Sequence, residues 1–211
     1  MAAWTGSGSD GRRAGPGGHL GGRLGGVPAL PDRPEPRVAR GSLQDDDALA
    51  EWPLTDPQSF QAIAMLREAV REGNVDSHED LERDHLYLFT GIGKPLAQPF
   101  ESPYLSKEGL LFEEQTMAVR QAYAAHGLQV PNPRVPDDHI GYEFSFVAHL
   151  AGQAAEGDIG ALPALHSFVG QHLGCFAGDV AEALREHTRT AIYRALAELS
   201  EGVLSHVRAE H

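Results

Sequence analysis

The stretch from Asp56 to Gly73 reads DPQSFQAIAMLREAVREG, and its reading decides the fold. Asp56 is a capping residue for the first turn of a helix. Pro57 suits the first helical position, where its missing N–H is not needed, and Gly73 suits the residue just past the end. Between them Phe60, Ile63, Ala64, Leu66 and Val70 form a mostly helical apolar stripe. The next segment, SHEDLERDHLYLFTG, repeats the logic. Ser77 and Asp80 resemble a capping box with Asp in place of Glu, and Leu81, His85, Leu88 and Phe89 recur at helical spacing.

Outward from there the pattern stays helical. The link GIGKPLAQPFESPYLSKEGLLFEEQ is long and irregular but rich in Phe100, Tyr104, Leu105, Leu110, Leu111 and Phe112, so a packed, functional link is expected. A helix is expected from about Thr116 to His126, ending at Gly127, and another from near Asp137 to about Ala155. Residues 159–209 read as two or three helices broken near Gly174 and Gly178. No segment alternates like a strand or carries a hairpin turn. The expected class is all-α, a single helical-bundle-like domain of roughly six to eight helices over residues 45–211.

Residues 1–44 differ. They hold 11 of the 24 glycines and five of the prolines, with no apolar periodicity. Such a composition buries too little surface to offset chain entropy and reads as disordered; a misplaced start or shifted reading frame would leave the same signature. Arg12-Arg13 suggests an export signal of its own, but Arg23 and the glycines interrupt the apolar core that such a signal needs.

The net charge of −13 is uneven: six arginines against three acids leave +3 in residues 1–44 and −16 in the rest. An acidic body argues against nucleic acid, whose phosphates need clustered Lys and Arg, and suits a basic partner. The single cysteine excludes an internal disulfide. No apolar run is long enough to span a bilayer.

Several motifs carry little. Gly91-Ile-Gly-Lys94 lacks the preceding strand and the Ser/Thr of a phosphate loop, and a turn is expected. Glu82 and His85 make one Glu-x-x-His pair where a di-iron bundle needs two, and His139 and Glu143, one turn apart, lack further ligands. A metal-binding bundle using these two pairs is the alternative function. No GxSxG elbow is present, and Cys175 in HLGCFAG reads as a small buried thiol.

VPDDHIGYEF, residues 135–144, is different. Asp137 or Asp138 can cap the helix that follows, and Ile140, Phe144, Val147 and Leu150 or Ala151 give it an apolar stripe. A cap uses one acid. It leaves His139 and Glu143 unexplained, and Gly141 in the first turn leaves room for close approach. The residues alone leave a plain cap and a binding site both open, with the cap ahead.

PDDHIGYEFSFVAHL, together with PFESPYLSKEGLLFEEQTMAVRQAYAAHGL upstream, resembles the TorD/DmsD family of molybdoenzyme-specific chaperones over about residues 80–205. The first motif reads Pro99-Phe-Glu-Ser-Pro-Tyr104, with Phe100 where a larger aromatic is common. The second is complete at Pro136, Asp138, His139, Gly141 and Glu143. Residues 1–44 show no counterpart of the family's opening helices. The resemblance implies an all-helical cytoplasmic protein, not an enzyme, with no cofactor of its own. Its partners would be a molybdopterin-containing oxidoreductase and that enzyme's twin-arginine leader, with a homodimer left open. It implies a leader site of Pro99, Phe100, Glu101, Ser102, Tyr104, Leu105, Asp138, His139, Gly141 and Glu143. Glu101, Asp138 and Glu143 would face the arginines, and Phe100, Tyr104 and Leu105 the apolar part.

Overall fold

The computed structural model describes residues 30, 49–50, 52–90, 93–106 and 114–209. Among them are eight α-helices: α1 (Pro57–Arg71), α2 (His78–His85), α3 (Ser102–Leu105), α4 (Glu114–Ala125), α5 (Ile140–Ala155), α6 (Ala161–Gln171), α7 (Ala177–His187) and α8 (Ala191–Ala209). No strand occurs among the described residues. The all-α class therefore holds. No helix of the described residues is long and apolar enough to cross a membrane.

The local signals work as read at the start of the chain. Asp56 accepts from the Ser59 N–H at 2.8 Å, with Pro57 at the first position of α1. Ser77 and Asp80 make the reciprocal capping box of α2. Gly73 and Gly127 follow α1 and α4 with φ of 69°, a conformation that side chains with a Cβ rarely adopt. The stripe on α1 is corrected, however. Phe60 is 74% exposed, and the buried positions are Ser59, Ala62 and Leu66. The reason is α8, which packs along α1. Gly202 of α8 lies so close that a Cβ there would meet Ser59 Oγ at 2.5 Å and Asp56 Oδ1 at 2.7 Å. A small residue on each helix therefore sets the interface, in place of the large Phe60.

Past α2 the chain continues as a π-helical turn, Leu86–Thr90, which the periodicity did not foretell. It buries Leu88 completely.

Two apolar clusters form. One gathers Leu49, Ala62, Leu66, Leu81, Ile192 and Leu199 where α1 and α2 meet α8. The larger one runs from Leu88 and Tyr123 through Phe146, Leu150, Phe168 and Phe176 to Leu204. Aromatic edges knit it: Phe146 meets Tyr123, Phe168 and His126 at centroid distances of 4.9, 4.8 and 5.4 Å. Leu30, the one described residue of 1–44, is 2% exposed in this cluster and donates its N–H to Gln129 O at 2.8 Å. Leu30 is thus packed, contrary to the reading of the whole segment as lacking core contacts; the disorder expected for the rest of 1–44 lies outside the described residues.

The start of α8 is held by two acids more than 100 residues earlier in the chain. Buried Asp84 of α2 gathers four donors on Oδ2: Thr188 Oγ1 at 2.6 Å, Thr190 Oγ1 at 2.8 Å, Arg189 N at 3.0 Å and Thr190 N at 3.1 Å. Asp76 accepts from Ile192 N at 2.9 Å. Helix N-termini present unpaired N–H groups, and here two carboxylates take them up.

Candidate functional site

The two motifs that stood apart in sequence cross in space. Phe100 and His139 form an isolated antiparallel bridge. Glu101 N–H donates to Asp138 O at 3.0 Å, and Ile140 N–H donates to Pro99 O at 2.8 Å. The crossing fixes two short segments that have no regular structure of their own, and it aims their side chains to either side of it.

Asp138 is fully buried. Its Oδ2 accepts from Ser102 N at 2.9 Å and Ser102 Oγ at 2.5 Å, and its Oδ1 accepts from Thr116 Oγ1 at 2.9 Å. It caps α3 from 36 residues away. Asp137 pairs with Arg120, taking Nη2 at 2.7 Å and Nε at 3.1 and 3.2 Å; this pairing raises the guanidinium's affinity for its proton. Tyr123 Oη donates to Asp137 O at 3.1 Å.

The expected cap of the following helix is therefore corrected. Neither aspartate caps α5. His139 does, its Nδ1 accepting from Gly141 N at 3.0 Å, and the helix starts at Ile140. Ser102, Thr116 and Arg120 take the two carboxylates first. The buried face of α5 is Tyr142, Glu143, Phe146, Val147 and Leu150, with Ile140, Phe144 and Ala151 half-buried beside it.

Glu101 and Glu143 lie deeper than a surface site would place them. Both are fully buried. Glu101 has His172 Nδ1 at 3.2 Å from each of its oxygens. Among the described residues, Glu143 has no hydrogen-bond partner on either oxygen. Burial pushes its carboxyl well above the ordinary carboxylate range, and the charges of Glu101 and Asp138 push it further the same way. Its proton is thus held more tightly than that of an exposed glutamate.

The outer face is aromatic and apolar. His139 meets Phe100 edge-on, with centroids 5.2 Å apart. Tyr104, half-buried, leans on Phe176 at 5.6 Å; its hydroxyl is pushed up to about 12 by burial. Leu105 is 40% exposed. Pro99 is buried beneath them, and Gly141 is half-buried in the first turn of α5. Leu110, Leu111 and Phe112, expected to pack in the same link, lie outside the described residues.

The other candidates come apart. Glu82 pairs with His78 at 3.0 Å, and His85 Nδ1 lies 3.0 Å from Tyr193 Oη, so the Glu82/His85 pair does not converge on a common point. Among the described residues no group of three or more His, Cys, Asp or Glu could hold a metal ion. The metal-binding alternative is not supported: Glu82, His85 and His139 are engaged by His78, Tyr193 and the Gly141 N–H, and Glu143 has no set of further ligands around it. Gly93 and Lys94 are exposed in a bend, with Gly91 and Ile92 outside the described residues. Cys175 is exposed, not buried, because the break after α6 brings it to the surface; partial desolvation and nearby Glu101 push its thiol up, which suits a quiet cysteine.

Comparison with known proteins places the chain in a family. The family model described as "Nitrate reductase delta subunit" matches residues 55–182. "Chaperone protein TorD" of Vibrio cholerae serotype O1 (strain ATCC 39315 / El Tor Inaba N16961) is 31% identical over 156 residues, covering 70% of each chain. The chain belongs to the TorD/DmsD family. "Tat proofreading chaperone DmsD" of Salmonella paratyphi A is 26% identical over 170 residues, covering 80% of this chain and 77% of that one. These relatives are named as chaperones, and neither as an enzyme.

Sequence reasoning missed Thr116, Arg120, Tyr123 and His172. The first three reach the crossing from α4, and His172 reaches it from the end of α6. No local pattern marks them, and HLGCFAG drew notice only for its thiol.

Proposed function

We propose that this chain is a cytoplasmic chaperone, not an enzyme, that binds the twin-arginine leader and apo-form of a molybdopterin oxidoreductase and assists cofactor insertion before export. The observation that carries the reading is the crossing of residues 99–102 with 138–140, which puts an apolar, aromatic rim over a buried group of acids. A twin-arginine leader is basic at one end and apolar after it, and this layering complements both parts. The −16 carried by residues 45–211 would speed the encounter. The names of the relatives support the same activity.

In this reading the site residues divide by depth. Phe100, Tyr104, Leu105 and His139 meet the apolar segment. Pro99, Ser102, Asp138 and Gly141 hold the crossing in shape. Glu101 and Glu143 are the inner acids for an arginine.

Calorimetry of the full chain with a leader peptide tests the reading. Binding is expected, with Phe100→Ala, Leu105→Ser and His139→Ala each weakening it and Asp138→Ala weakening it more. Absence of binding to any twin-arginine leader of a molybdopterin oxidoreductase from the same organism would overturn it.

A further inference from the structure

A buried polar group without a partner is unusual in a folded protein and calls for a reason. Glu143 has two such oxygens, fully buried, next to a second buried carboxylate. Asp138 in the same cluster is fully served by Ser102 and Thr116, so the chain does supply donors here when they are needed for shape.

The cover over this pair is the bend between α6 and α7. His172 ends α6, with a side chain 14% exposed against 1% for Glu101 beneath it. It is followed by a short 3-10 turn, Leu173–Cys175, on which Cys175 is exposed. The imidazole lies astride the Glu101 carboxylate, equidistant from both oxygens. That is the seat in which a carboxylate receives the two parallel N–H groups of a guanidinium. The protein's own nearby guanidiniums are engaged elsewhere: Arg120 on Asp137, and Arg208 on Gly174 O at 3.2 Å.

Resting on the leader-binding reading above, we propose that His172 is a removable stand-in for an arginine of the leader: the guanidinium displaces the imidazole from Glu101, bridges to Glu143, and expels the Glu143 proton. A guanidinium has five N–H donors and stays charged at every relevant pH. Two donors satisfy Glu101, and others remain for Glu143. The arriving positive charge offsets the Glu101 and Asp138 carboxylates that face Glu143 in the free protein. Glu101 faces it from ahead of α3, Asp138 from ahead of α5 and the Cys175 thiol from the 3-10 turn. Tyr123 of α4 is also close enough to feel its charge. His172 faces Glu101 from the end of α6, and Arg208 of α8 lies near Cys175. Binding then releases a proton and strengthens as pH rises, by up to about tenfold per pH unit while Glu143 in the free protein still holds its proton.

The experiment is calorimetry of the full chain with a synthetic peptide, blocked at both ends, carrying an Arg-Arg pair and an apolar run. It is run between pH 6.5 and 8 in two buffers of different ionisation heat. The wild type is expected to release about one proton more than Glu143→Gln, and the Kd of the variant to change less with pH. Gln is neutral and of the same shape as the protonated acid, so the variant keeps the fold, which its unfolding transition checks. His172→Ala, if folded by the same check, is expected to bind the peptide several-fold more tightly because the competitor is gone. Equal proton release by wild type and Glu143→Gln overturns the proposal, as does unchanged or weaker binding by folded His172→Ala. Failure of the wild type to bind at any pH removes the leader-binding reading itself, and this inference with it. Binding without the Glu143 proton removes the inference alone.

Discussion

Two buried acids in different parts of the fold are treated in opposite ways. Asp84, where α2 meets the start of α8, gathers four donors on one oxygen. Glu143, under the motif crossing, has none on either. Both burials are costly, and only the first is offset within the fold. An acid with its donors built in works as a strut. An acid without them lowers the stability of the free protein, a mark of a group kept for something that arrives later.

The largest effect that would sharpen this contrast is expected at the strut. Asp84→Ala leaves the Thr188 and Thr190 hydroxyls and two N–H groups without their acceptor. It should cost about 3–4 kcal/mol in urea unfolding. Asp138→Ala should follow at about 3 kcal/mol, since it strips Ser102 and Thr116 of their acceptor. A loss of only about 1 kcal/mol, that of an ordinary exposed cap, would return Asp138 to a minor role.

Glu143 should behave in the opposite sense. Its folded carboxyl holds its proton above the usual 4.5. Below that pH both folded and unfolded chains hold the proton. As pH rises past it the unfolded chain loses the proton first, so this group subtracts stability, by at most about 1.4 kcal/mol per pH unit, until the folded carboxyl titrates too. Glu143→Gln should remove that slope and leave the protein more stable at pH 7 than the wild type, measured as Tm across pH 5–7. A variant less stable than wild type at pH 7 would break the comparison. The smallest effect belongs to the exposed capping box: Ser77→Ala should cost about 1 kcal/mol and leave leader affinity unchanged.

What could be read from the sequence follows the range of the interaction. Asp56 with Ser59 and Ser77 with Asp80 act across three residues, and the sequence displays such pairs directly. The number of helices and the all-α class were legible for a related reason, since periodicity is written along the chain; that PFESPY and PDDHIGYE belong together was implied only by the family resemblance. The cap of α5 was not. Asp137 and Asp138 have ideal local positions for it, but Arg120, Thr116 and Ser102 lie 17, 22 and 36 residues away and take both carboxylates. The α1 stripe failed likewise, because close approach of Gly202 to Ser59 outweighs the size of Phe60. Depth was the least legible quantity. Glu101 and Asp138 look like surface acids in a polar stretch, and only the assembled crossing puts them inside; Glu143, beside the apolar stripe of its helix, is the one whose burial the sequence suggests.

The crossing also gives the protein a built-in clock. Its two amides, Glu101 N–H on Asp138 O and Ile140 N–H on Pro99 O, close it from either side. Deuterium can reach that pair together only when the motifs separate. Their joint exchange rate therefore times the opening of the site itself, apart from unfolding elsewhere, and a peptide that seats between the motifs would have to change it.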